Sequence, residues 1–185
     1  MLIVNSKLTV ITINMTTLNS QHLRNYPNKP KQVYLYGTCL ADSLYPGSGI
    51  DAIEFLEQQG IEVLYPQGQT CCGQPAYNSG YQDEAKAVAL AQIAQFPLDI
   101  PIVIISGSCG GMMRHHYPDL LKGEPGIEQF CERIFEFTEF LVHALKIKLN
   151  DQGQPEKIAL HTSCAARREM GVHITGRQLI SQLDN

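Results

Sequence analysis

No apolar run in these 185 residues approaches the roughly 20 needed to cross a bilayer. The longest, Ile100 to Ile105, contains Pro101, so a membrane span is not expected. Charge is also sparse. The 14 Lys+Arg are scattered, and the formal net charge is -4. No basic stripe is present to neutralise phosphates, which removes nucleic acids and anionic membranes as expected partners. The chain lacks a Gly-x-Gly-x-x-Gly strand-helix fingerprint, a convincing Ser-His-Asp set and paired carboxylates, so neither a nicotinamide or flavin site nor hydrolytic machinery is indicated. Leu8 to Ile13 is too short for a signal-peptide core, Lys7 is its one preceding cation, and Asn14-Met15-Thr16-Thr17 is a poor cleavage site. Without export, the six cysteines are not a disulfide framework. In a reducing cytoplasm they are expected to be thiols or ligands.

What the chain does have is 44% hydrophobic residues, enough for one core. Residues 1–30 lack the periodicity that follows and contain Met15. They read as an N-terminal extension, poorly ordered or upstream of the true start, ahead of one domain over 31–185. From Lys31 onward, short β-branched runs alternate with helical patterns, as in an α/β fold with an open, mainly parallel sheet and crossover helices. Strands are expected at Val33–Tyr36, Ile61–Tyr65, Ile102–Ile105 and Lys157–Leu160. Ile50, Ile53 and Leu56 mark one crossover helix, with Ser48 as its N-cap and Gly60 at its C-terminus. Ala85, Val88, Ala89, Ile93 and Phe96 mark a second. After the third strand come a short helix near Met112 to Leu121 and a long one with Phe130, Ile134, Phe137, Leu141 and Leu145 on its face.

Each expected strand is followed within a few residues by cysteine: Cys39, Cys71-Cys72, Cys109 and Cys164. In a parallel sheet these emerge at the C-terminal edge of the strands, where open α/β folds place their ligand crevice. Gly37, Gly73, Gly107, Gly110 and Gly111 flank them, allowing the backbone to approach an inorganic centre. Soft thiolates select iron-sulfur centres, zinc or copper(I). The absence of a Cys-x-x-Cys pair weakens a structural zinc site. Adjacent cysteines chelate one small ion awkwardly but reach different atoms of an extended cluster.

Three segments carry a resemblance: Thr38-Cys39-Leu40-Ala41-Asp42, Cys71-Cys72-Gly73-Gln74-Pro75-Ala76-Tyr77-Asn78-Ser79-Gly80 and Ser106-Gly107-Ser108-Cys109. Together they resemble the cysteine-rich CCG domain that occurs in heterodisulfide reductase, in the iron-sulfur subunit of glycolate oxidase and, most similar of all, in the lactate utilisation protein A group. The resemblance covers roughly Val33 to Val172. It implies an iron-sulfur cluster on Cys39, Cys71, Cys72 and Cys109, [4Fe-4S] by thiolate count or of the noncubane type of the heterodisulfide reductase branch. It further implies an electron-transfer role beside companion subunits that carry other redox centres, in lactate oxidation to pyruvate or in glycolate oxidation. Two CCG motifs are expected in such proteins. His161-Thr162-Ser163-Cys164, followed by Arg167-Arg168-Glu169-Met170-Gly171, resembles the opening of a second, whose remainder would fall beyond Asn185. Cys164 is thus a weaker, fifth candidate ligand. Ser106 departs from the pattern, standing where heterodisulfide reductase relatives have a cysteine.

Cys131 shares the stripe of Ile127 and Ile134 and reads as core. His115 and His116 read as solvated, His161 as close to the crevice, and Arg114, Arg167 and Arg168 as a solvated face. Gln74, Pro75, Asn78 and Gly80 shape the loop that presents Cys71-Cys72. Two alternatives stay open: a zinc-binding or thiol-redox protein, and a metal-free α/β interaction module.

Overall fold

A computed structural model describes residues 24–150 and 159–183. In chain order its elements are β1 (Gln32–Tyr36), α1 (Cys39–Leu44), α2 (Pro46–Gln58), β2 (Glu62–Leu64), α3 (Gln74–Asn78), α4 (Gln82–Ile93) and β3 (Ile102–Ile104). There follow α5 (Gly107–Gly111), which runs through a π-helical turn at Met112–His116 into α6 (Tyr117–Leu120), then α7 (Ile127–Glu132) and β4 (Ile134–Glu136). The chain continues in α8 (Phe137–Glu139) with a π-helical turn at Phe140–Leu145, then α9 (Cys164–Arg168) and α10 (Val172–Ile180).

The strands are all parallel, in the order β2-β1-β3-β4. Period-two alternation divides their side chains between two covered faces. Tyr34, Tyr36, Ile102, Ile104 and Ile134 pack with Phe96, Met112, Met113, Tyr117 and Phe130 on one side. Val33, Leu35, Val103 and Phe135 pack with Ala52, Leu56, Phe140 and Leu141 on the other. The result is an α/β fold with helices on both faces, in which each fully buried side chain such as Ile104 or Leu56 contributes about 1.5–3 kcal/mol.

The fourth strand differs from the expected one. Lys157 and Ile158 lie outside the described residues, and Ala159 and Leu160 pair with no strand. Its place is taken by Ile134–Glu136, inside what reads by periodicity as one long helix. The Phe130-Ile134-Phe137-Leu141 spacing fits a helical stripe, but a strand buried on both faces shows no alternation to oppose that reading. All three β4 residues are buried. The helix restarts at once because Glu136 and Glu139 form a reciprocal capping box, each carboxylate accepting the other's backbone N–H at 3.1 Å.

Other expectations shift slightly. Helix α2 starts at Pro46, in the first helical position, where its missing N–H costs nothing, rather than behind Ser48. Gly60 takes φ +75 at the helix end, as expected. Of residues 1–30, 1–23 lie outside the described residues. Arg24 reaches the outer edge of β4, donating to Ile134 O at 2.7 Å and to Glu132 O, with its guanidinium 4.0 Å from the Phe135 ring centre.

Candidate metal centre

Strand order reverses direction between β1 and β3, which makes the crevice beyond their C-terminal ends the natural ligand position. Cys39 and Cys109 follow these two strands, and Cys71-Cys72 follow the neighbouring β2.

Strand β1 delivers Cys39 through a sharp turn. Gly37 N–H donates to Gln69 Oε1 at 3.0 Å, and a Cβ on Gly37 would fall 2.5 Å from the Tyr65 hydroxyl. Thr38, 3% exposed, sits at φ +60 and ψ +145. A β-branched residue is strained there. Its hydroxyl accepts from Ala41 N–H at 3.3 Å and so caps α1. Cys39 opens that helix and is exposed; no α1 residue is buried.

The loop bearing Cys71 and Cys72 is pinned from below. Tyr36 Oη donates to Thr70 O at 2.6 Å, Tyr117 Oη donates to Cys72 O at 2.9 Å, and Gln92 Oε1 accepts from Thr70 N–H at 2.7 Å. Gln69 Nε2 adds a bond to Leu35 O at 3.3 Å. Gly73 adopts φ +82, and a Cβ there would meet Ala85 O at 3.2 Å. Glycine is therefore required where the chain turns into α3 with Cys72 aimed inward. Gln74 Nε2 then donates to Ser108 O at 3.2 Å, tying this loop to α5, the helix that carries Cys109.

The four thiols act on one another as two pairs. Cys39 pairs with Cys71 toward the surface. Cys72, 1% exposed, pairs with Cys109, 9% exposed, toward the core. The bond from Cys72 draws the Cys109 thiol down to about 7 against the opposing effect of burial, with help from Ser106 and Ser108. The same bond, then burial, pushes Cys72 far up. Burial first, then Cys71, raises Cys39. Tyr36 and Tyr117 are also pushed up, by burial and then by the nearby Cys72 and Cys109, and so remain neutral donors to the loop.

Among the described residues, no three His, Cys, Asp or Glu side chains are grouped to hold a single metal ion. The thiols act on one another, and Ser106 and Ser108 act on Cys109. That all-soft donor set, arriving from three strand ends, fits an extended iron-sulfur centre better than a lone hard cation.

Cys164 stands apart. It is exposed at the start of α9 and is not among the groups acting on the other thiols. Its helix nevertheless packs on α5, and the glycines beside Cys109 serve that contact. A Cβ on Gly107 would lie 2.6 Å from Ala166 Cβ, and one on Gly110 would lie 3.0 Å from Met170 Cε. These glycines bring two helices together rather than opening backbone toward an inorganic group.

Arg114 is not on a solvated face. Its side chain turns inward to Glu139, with contacts of 2.5 and 3.3 Å, and to Ile134 O. His115 and His116 both reach Glu169, at 3.0 Å to its carbonyl and 3.4 Å to its carboxylate, and the His116 ring lies 5.2 Å from Tyr77. His161, Arg167 and Arg168 are exposed. Cys131 is core: burial pushes it up to about 12, and its thiol donates to Met113 O at 3.1 Å. Sequence reasoning does not find the residues that hold the loop, Tyr36, Gln69, Gln92 and Tyr117.

The cysteine-rich domain family CCG matches residues 33–114, a span that takes in all four converging cysteines and neither Cys131 nor Cys164. The chain is 39% identical over 157 residues to lactate utilization protein A 2 of Bacillus cereus (strain Q1), covering 83% of this chain and 65% of that protein. It is 43% identical over 144 residues to lactate utilization protein A of Halalkalibacterium halodurans, covering 76% and 59%. The chain thus spans about two thirds or less of the length of these relatives. No solved structure matches. Residues 33–114, which contain every converging thiol, match the cysteine-rich CCG domain family, and over most of its length the chain is similar to the lactate utilization A proteins.

Proposed function

We propose that Cys39, Cys71, Cys72 and Cys109 hold one [4Fe-4S] cluster and that the chain relays electrons within a lactate-oxidising system. The observation that supports this most directly is that the four cysteines follow the C-terminal ends of three adjacent parallel strands. Four thiolates are the usual complement of such a cluster, which would supply one-electron transfer there. Cys72 and Cys109 anchor its inner side in the core, while Tyr36, Tyr117 and Gln92 fix the loop. Cys39 and Cys71 leave its outer side toward the surface, open to a redox partner. The relatives are named for lactate utilization, and on that ground the substrate of this reading is lactate, with further redox centres on companion subunits in the cytoplasm. No helix among the described residues is long and apolar enough to cross a membrane.

Anaerobic purification tests the reading. A brown protein with about four iron and four acid-labile sulfide per chain is expected. Colourless protein with stoichiometric zinc overturns it in favour of the zinc alternative.

A further inference from the structure

The scatter of cations along the chain has one wide gap. Residues 32–85, which carry Cys39, Cys71 and Cys72, contain no Lys, Arg or His, yet they hold Asp42, Asp51, Glu54, Glu57, Glu62, Asp83 and Glu84. The two lysines that bound the gap do not neutralise its cysteine end. Lys31 precedes β1 and so lies at the opposite end of that strand from Cys39, and Lys86 pairs with Glu124 at 3.2 Å. Asp42, Asp51, Glu54 and Glu57 are exposed, and none of the ion pairs among the described residues includes them.

Apolar side chains stand out from the same surface. Leu40 and Leu44 on α1, Tyr45 between α1 and α2, and Ile50 on α2 are between 56 and 65% exposed. Leu40 and Leu44 are four residues apart and share one face of α1, a helix with no buried residue that packs on α2. Glu54 follows Ile50 by one helical turn, and Asp51 is its neighbour. These four are gathered within eleven positions, beginning next to Cys39, out of nine large apolar side chains exposed among all the described residues. An apolar centre inside a rim of one charge has the composition of a recognition surface.

We propose that α1 and the first turns of α2 form the docking surface for a redox partner protein whose own apolar contact is ringed by Lys and Arg. The partner's redox role rests on the electron-relay reading given above; the docking surface itself rests on exposure and charge. Because Cys39 opens α1, a protein seated on Leu40, Leu44 and Tyr45 comes to rest against the outer side of the thiol site. Tyr45 supplies the aromatic anchor, and the unpaired carboxylates steer a cationic surface in and orient it. Electron-transfer encounters are small, below about 1,200 Å² in total, which suits four side chains and their rim. A second copy of this chain is a poorer occupant. Its exposed arginines Arg167, Arg168 and Arg177 lie on α9 and α10, so the contact would join two different faces head to tail and leave one acidic face open in every string of copies.

The experiment uses the full chain, purified anaerobically, with a basic c-type cytochrome as the probe. In one arm a carbodiimide joins carboxylates to amines in the mixture at low salt, and peptide masses map the links. Links from Asp42, Asp51 or Glu54 to the probe are expected, vanishing as salt screens the contact. Asp51→Lys with Glu54→Lys should abolish the complex. Asp83→Lys with Glu84→Lys makes the same change in net charge on α4, which packs on the other face of the sheet from α2, and should leave the complex intact. Leu40→Ser with Leu44→Ser should weaken it at every salt concentration. Unchanged affinity in that last variant, links spread over both sheet faces, links between copies of the chain, or no complex at low salt each overturn the proposal. In the other arm, protein reduced with dithionite passes electrons to the probe under stopped flow. Asp51→Lys with Glu54→Lys should lower the second-order rate constant about tenfold at low salt, the modest end of electrostatic steering; an equal loss in the α4 variant overturns the proposal. If the protein holds no iron and passes no electrons while the links map to α1 and α2, the cluster reading falls and the docking surface for a basic protein stands.

Discussion

Two polar clusters share the C-terminal edge of this sheet. The ends of β1, β2 and β3 carry thiols, whereas the end of β4 carries two carboxylates, of which Glu139 has its counter-charges already in place. Glu139 accepts from Arg114, from the Tyr26 hydroxyl at 3.1 Å and from Glu136 N–H, and Arg24 lies 3.6 Å away. Burial first, then Arg114, draws Arg24 down to about 10. At the β4 end, charge is balanced by charge within the protein. At the thiol end Cys72 and Cys109 are held by each other, by burial and by the Ser106 and Ser108 hydroxyls, all neutral influences, so the thiolate charge exposed when their protons leave is left for a soft ligand to balance. One cluster is a finished part of the scaffold; the other is arranged to receive something.

The sharpest way to break this contrast is to damage each end once. Arg114→Ala leaves the Glu139 carboxylate buried without its main partner, and loss of one member of a buried ion pair costs about 3–5 kcal/mol. Urea unfolding should show that loss. Cys109→Ala should cost less, in the range of about 1–2 kcal/mol expected of a small core truncation, yet reduce iron per chain to near zero in an iron assay. If Cys109→Ala unfolds the protein as severely as Arg114→Ala does, the thiol end is also scaffold and the contrast fails. Gly73→Ala comes next. It forces a side chain to φ +82 against Ala85 O, at about 1–2 kcal/mol. Because Gly73 follows Cys72 directly, iron content should fall along with the urea midpoint.

The thiol end is largely legible in the sequence, because strand-loop-cysteine spacing and a parallel sheet together place Cys39, Cys71, Cys72 and Cys109 at one edge. The β4 end is not. Ile134, Phe135 and Glu136 carry a helical spacing with their neighbours, and no local pattern shows that Glu136 closes a capping box or that Arg114 turns inward to meet Glu139. The position of Cys164 is hard to read for a related reason. Its distance from an expected strand resembles that of the other cysteines, but the strand at that sheet position is Ile134–Glu136, and Ser163 caps a helix that leaves Cys164 on the surface. The glycines near Cys109 are necessary, as their position suggests, but for a different neighbour, since contacts between α5 and α9 are distant in sequence.

Tyr117→Phe separates positioning from packing at the thiol end. The ring is retained, while the hydroxyl bond to Cys72 O is lost in a fully buried place, at about 1–2 kcal/mol. If the hydroxyl positions the loop, the reduction potential and the visible spectrum of the loaded protein shift along with the unfolding midpoint. If only the midpoint moves, Tyr117 is a core residue and no more.

The smallest effect belongs to the β4 end and depends on pH. Burial, first among the causes, raises the Glu136 carboxyl above its ordinary range. A carboxyl raised on folding binds its proton more tightly in the folded state. Its favourable contribution is therefore complete below the unfolded value, near 4.3, and is lost as pH rises through the higher folded value. Glu136→Gln removes the proton but keeps the contacts, because one carboxylate oxygen accepts from both Glu139 N–H and the Thr138 hydroxyl, and an amide oxygen can do the same. Nearby Glu139 adds repulsion that the neutral amide relieves. Thermal unfolding from pH 4 to 8 should therefore show the two proteins nearly equal at the acid end, with the variant gaining a few tenths of a kcal/mol or more toward pH 8, the scale of a surface-like electrostatic adjustment. A variant less stable at pH 8 than at pH 4, relative to the parent, would mean that the Glu136 charge is compensated as fully as that of Glu139, and that the β4 end holds two balanced carboxylates rather than one.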